Sequence, residues 1–194
     1  MLPIPMILTA VGIHSLFTVH HSLFTKLRYV LIAGYFFILV LSLFGYMQKY
    51  FIDYRREYSW SWQYGYEEAV DFVKANYDKY DKIIFTKKYG EPHIFLLYHW
   101  PWNPNDYRED NNLIRYSQDD WFWVDRFDKF YFVNDWDIPR RSDQDFVLES
   151  GLIFDCDFSK CLLVTSPGNV HQDWKLLKTI NFLDGQHAFE IYEN

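Results

Sequence analysis

YVLIAGYFFILVLSLFGYMQ, residues 29 to 48, is a run of twenty residues without a charge. At about 1.5 Å rise per residue, a helix of that length spans the roughly 30 Å hydrocarbon core of a bilayer. Arg28 and Lys49 flank the run, where their long stems reach the headgroups. It reads as a transmembrane helix over about 28–49, in preference to a buried core helix, which is usually shorter.

Upstream, the first 25 residues also lack Lys, Arg, Asp and Glu. They have neither the basic start nor the small-residue cleavage site of a secretory signal. Residues 4–22 are apolar enough for most of another span, while Pro3 and Pro5 crowd its beginning. The expectation is two membrane helices, the first incomplete, in a natural chain that begins earlier. Lys26 and Arg28 lie on one side of the second helix and Lys49, Arg55 and Arg56 on the other, so the positive-inside rule assigns no orientation.

Downstream the composition changes. Residues 1–50 carry a net charge of +3 and no acid, whereas residues 51–194 carry −10. The expected organisation is a membrane segment over 1–50 and a domain over 51–194. No nucleic-acid partner is expected.

Within that domain, YSWSWQYGY (58–66) follows the membrane helix closely. Tyr and Trp favour the membrane interface, since a ring sits among apolar chains while its OH or NH reaches water. From Tyr66, the residues Ala69, Val70, Val73 and Tyr77 recur at spacings of three and four, opposite Glu67, Glu68, Asp71 and Lys74. That is an amphipathic helix. KIIFT then reads as a buried strand, and Pro92 opens a helix through HIFLLYHW. Residues 101–120, with two prolines and four asparagines, read as a long surface loop. DKFYFVNDWD and KCLLVTSPG read as further strands, with FVLES and LIFDC as lesser ones. LLKTINFLDGQHAFEIYEN reads as a hairpin turning at Asp184-Gly185. The fold class is α/β: a small domain with a mixed sheet and a C-terminal β-hairpin.

Signatures of soluble enzymes are sparse: no glycine-rich phosphate loop, no Gly-x-Ser-x-Gly elbow and no His-Glu-x-x-His pair occurs. His93 and His99 stand six apart, a spacing that does not place both on one helix face, so ordinary histidines are preferred to metal ligands. Asp135 and Asp137, after a strand, are the candidates for a divalent metal holding a sugar nucleotide. Acidic loop ends that solvate the domain are the favoured reading, and no cofactor is expected. Cys156 and Cys161 in DCDFSKC are read as two ordinary thiols in preference to a disulfide, because spacing alone does not establish bridge geometry. Trp60, Trp62, Tyr64 and Tyr66 are candidates for stacking on sugar rings or a lipid headgroup, with interface anchoring favoured. Arg55 and Arg56 fit either a lipid phosphate or juxtamembrane anchoring.

The run from Tyr58 to Tyr98, with CLLVTSPGNV and KTINFLDGQHAFEIYEN, resembles the C-terminal end of bacterial membrane glycosyltransferases of family 39, the protein-mannosyltransferase-like type. LPIPMILTAVGIHSLF resembles one of their late membrane helices. The resemblance implies the GT-C class, which transfers sugar from a polyprenyl-phosphate-linked donor to a glycan or protein acceptor outside the cytoplasm. It places residues 51–194 on that outer side, capping the active site or shaping the acceptor groove. The family's catalytic acid lies in an early loop to which no residue here corresponds, so this chain alone is expected to be inactive. The alternative is a stand-alone, membrane-anchored module that binds a glycan or a protein partner.

Overall fold

A computed structural model describes the chain except for residues 1–3, 19–24, 119, 142–143 and 170–172. It divides into two units after Asp53. The first holds α1 (Ile4–Thr18) and α2 (Thr25–Gln48). The helical run continues as a π turn over Lys49–Tyr54 and a short turn, α3 (Arg55–Glu57). Tyr29–Glu57 is, among the described residues, the one helix long and apolar enough to cross a membrane. The expected first span does not hold to that standard. α1 has 15 residues, about 22 Å of helix, which falls short of a hydrocarbon core. Residues 19–22 of that expected span lie outside the described residues.

The second unit is built on a seven-stranded mixed sheet in the order β2-β3-β4-β1-β7-β9-β8. At its centre β1 (Lys82–Thr86) pairs in parallel with β4 (Phe130–Val133) on one side and β7 (Cys161–Thr165) on the other. These three segments read IIF, FYFV and CLLV, apolar at consecutive positions, because both faces of the sheet are covered. Ile83, Phe85, Phe130, Phe132, Leu162 and Val164 face one core, closed by α4 (Tyr66–Asn76) and by Leu96 of α5 (Pro92–His99). Ile84, Tyr131, Val133, Cys161 and Leu163 face the other, closed by the small hairpin of β5 (Phe146–Val147) and β6 (Ile153–Phe154). The amphipathic spacing predicted for α4 is met, with Tyr66, Ala69, Val70 and Val73 buried. The C-terminal hairpin is β8 (Lys175–Asn181) with β9 (His187–Glu193), antiparallel as expected.

Two expectations need correction. The supposed loop over 101–120 contains α6 (Pro104–Arg108), capped by the Asn103 side chain, and β2 (Ile114–Gln118). β2 pairs with β3 (Trp121–Phe127), and the two carry the sheet to its edge. As an edge strand β2 is largely exposed and needs no apolar run, so its polarity disguised it. Cys156 and Cys161 are not free thiols but a disulfide, with Cα atoms 6.0 Å apart. The Asn194 amide binds the same turn: it donates to the carbonyls of Cys156 and Ser159, both at 2.9 Å, and its oxygen accepts from the Cys161 N–H at 2.9 Å.

Gly65 starts α4 with φ +105°, and a Cβ there would lie 3.3 Å from Ile180 Cγ2 and 3.3 Å from Phe189 Cδ2. A side chain meets both the left-handed backbone penalty and a filled core. Gly65→Ala is expected to cost about 1–3 kcal/mol in urea unfolding of the α/β unit. A loss below about 0.5 kcal/mol would show that the turn adjusts freely.

Candidate functional site

The three parallel strands end on one edge of the sheet, and the chain leaves β1 toward β4 on one flank before reaching β7 on the other. Such a switch point opens a crevice at the carboxyl ends of the strands. Thr86 ends β1 and Lys87 follows it, Asn134 and Asp135 follow β4, and Thr165 ends β7 with Ser166 after it. Asp135 accepts hydrogen bonds from Thr86 Oγ1 and Ser166 Oγ, tying β1 and β7 together through the loop after β4. Asn169 Nδ2 donates to the same Ser166 oxygen at 2.9 Å.

Beside it lies a charged cluster in which Lys87 and Asp125 are buried and Glu149 is exposed. The Lys87 ammonium donates to Asp125 Oδ1 at 2.5 Å, Glu149 Oε2 at 2.9 Å and the Tyr116 hydroxyl at 3.0 Å. The Lys87 side chain is 4% exposed and that of Asp125 0%. The second Asp125 oxygen accepts the Ser150 N–H at 2.7 Å, and Tyr116 donates to Glu149. Burial alone would raise the Glu149 carboxyl, but the Tyr116 hydroxyl and the Lys87 ammonium outweigh it and hold the group below the usual range. Burial, then the Glu149 hydrogen bond, pushes the Tyr116 hydroxyl far up, so it stays a donor. β1, β2, β3 and the β5–β6 turn are thus joined by one network.

Lys87 and Glu149 of this network line a cavity of about 440 Å³. Lys88, Asn134, Asp135 and Gln118 add polar groups to its lining, and Trp123 and Trp136 supply rings, that of Trp136 being 80% exposed. Rings beside paired carboxylates, amides and lysines suit a ligand with an apolar face and a hydroxyl rim.

The predicted residues fall in several places. Asp135 lies in this cavity, and Asp137 accepts from Asn134 Nδ2 at 3.2 Å. Among the described residues no three His, Cys, Asp or Glu groups come together as a metal would need. Arg55, Arg56 and Trp60 are exposed. Trp62 and Tyr64 line a separate cleft of about 370 Å³ with Glu67, Asp71 and His99. Tyr66 does not belong with them. It is buried, stacked on Phe95 at 4.3 Å and edge-on to Phe189 at 5.0 Å, with its hydroxyl unpaired. His93 is buried too, its ring against Phe132, and burial with Arg115 and Lys87 nearby lowers it to about 4. Sequence reasoning missed Lys87, Tyr116, Trp123, Asp125 and Glu149. The available signals were a charge just after an apolar strand and the apolar, aromatic-rich run WFWV before Asp125.

Comparison with known protein families, characterised proteins and solved structures finds no match to this chain.

Removing Lys87 strands a fully buried carboxylate, which typically costs 3–5 kcal/mol, whereas removing both charges is close to neutral. Lys87→Met is expected to destabilise the α/β unit by about 3 kcal/mol, and Lys87→Met with Asp125→Leu to recover most of it. Equal losses in the single and double variants, read by urea unfolding, would contradict a coupled pair.

Proposed function

We propose that this chain is part of a membrane glycosyltransferase of the GT-C, family 39 type, and that its α/β domain holds the sugar of the acceptor outside the cytoplasm. The observation that carries the reading is the cavity at the carboxyl edge of β1, β4 and β7, where Trp123 and Trp136 stand beside Lys87, Asn134, Asp135 and Glu149. Sugar rings pair an apolar C–H face with a rim of hydroxyls, and this lining offers a partner for each. Two further features support it. The apolar helix Tyr29–Glu57 supplies an anchor. The Cys156–Cys161 disulfide suits an oxidising compartment, as the outer side of a membrane is. The resemblance of the aromatic and apolar segments to family 39 supplies the reaction class: transfer from a polyprenyl-phosphate-linked donor.

A second reading, a stand-alone anchored module that binds glycans, is favoured by one observation. The lining residues of the cavity, between 87 and 149, all belong to a single unit. In both readings the domain binds sugar, and they differ in the polypeptide that carries it.

The full chain in lipid nanodiscs should change its tryptophan emission saturably on titration with the methyl glycoside of at least one of glucose, mannose or galactose. Trp136→Ala should remove the change. No response to any of the three would overturn sugar binding at this cavity. An antibody to the α/β domain separates the readings in native membranes. A polypeptide much larger than 23.7 kDa marks the enzyme, and a band at 23.7 kDa marks the module.

A further inference from the structure

We infer that the cavity is the inner end of a longer groove, built for an uncharged oligosaccharide, in which Trp121 holds a sugar ring beyond those held by Trp123 and Trp136. The inference rests on the sugar reading above and adds chain length and charge to it.

The register of the β2–β3 pair carries the argument. Trp121 stands opposite Gln118, and Trp123 opposite Tyr116. Directly opposed residues of an antiparallel pair project from the same face, as do residues two apart along a strand. Gln118 lines the cavity, and the Tyr116 hydroxyl accepts from Lys87, which lines it too. Trp121 therefore continues the same face one step outward from Trp123. That step is about 7 Å, from roughly 3.3 Å of rise per residue. Phe122 and Val124 point to the opposite face, where Val124 joins the helix-covered core.

Trp121 is 65% exposed, which leaves a large apolar surface open to solvent. A lipid occupant is disfavoured by its neighbours, since Ser117, Gln118 and Asp120 at the hairpin tip are exposed polar groups that would enter the bilayer with it. The charge of the lining selects further. Lys87 and Lys88 stand against Asp125, Asp135 and Glu149, so the lining and the network behind it carry one negative charge in excess, which disfavours an anionic sugar. An uncharged chain meets no such penalty.

The test titrates the full chain in nanodiscs with methyl glucoside, methyl mannoside, maltotriose, cellotriose and mannotriose, read by tryptophan emission. At least one trisaccharide should bind about tenfold more tightly than its monosaccharide. Trp121→Ala should remove that gain while leaving monosaccharide affinity within about twofold, and Trp121→Phe should restore most of it. Equal affinity for one ring and three overturns the groove while leaving sugar binding in place. So does a gain that survives Trp121→Ala, or a Trp121 signal that answers only to added phosphatidylglycerol vesicles. Absence of binding by every probe overturns the groove and the sugar reading together.

Discussion

Lys87 holds its ammonium almost out of reach of water, 2.5 Å from the carboxylate of Asp125, which is fully buried. Neither charge is tolerable there alone, because desolvation of an unpaired ion costs several kcal/mol. The pair therefore fixes where β3 lies relative to β1, although β4 separates them in the sheet. Glu149 and the Ser150 N–H extend the constraint to the β5–β6 turn, so the hairpin that covers the second face is fastened to the sheet edge. What reaches the cavity from this network is a set of polar atoms whose positions are already decided. A site built this way loses little side-chain entropy when a ligand arrives.

The apolar packing works with the same geometry. Three parallel strands covered on both faces place their carboxyl ends together, and the loops that leave them bring Thr86, Asp135 and Ser166 into one hydrogen-bonded group. The cleft beside Trp62 lacks this foundation. Its acids lie on the outer side of α4, and Glu68 pairs with Lys178 at 2.8 Å in a partly exposed bridge of the kind that contributes little. Burial and polar order both favour the sheet edge as the place where a ligand is selected.

Much of this fold could be read from the chain. Periodicity of three and four marked α4, continuous apolar runs marked β1, β4 and β7, and Asp184-Gly185 marked the closing hairpin. Each of those signals is local. β2 and β3 were harder, because an edge hairpin is half exposed and its polar residues look like a loop until the partner is known. The turn that carries the disulfide is hydrogen-bonded by Asn194, which is 33 residues from Cys161 and unrelated to it by any spacing rule. Tyr66 belongs by composition to the aromatic stretch and by position to the first turn of α4, and burial followed the helix. Of the cavity, Asp135 was visible as part of an Asp-x-Asp triplet. Lys87, Asp125 and Glu149 meet only through strand order, which composition does not reveal.

Amide hydrogen exchange of the full chain in nanodiscs, with and without a saturating trisaccharide, tests most directly that the sheet edge is the ligand site. Slowed exchange at Lys87–Lys88, Asn134–Trp136 and Glu149–Ser150, with Trp62–Asp71 unchanged, is the predicted result. Protection confined to Trp62–Asp71 would contradict the account and move the site to the cleft beside α4.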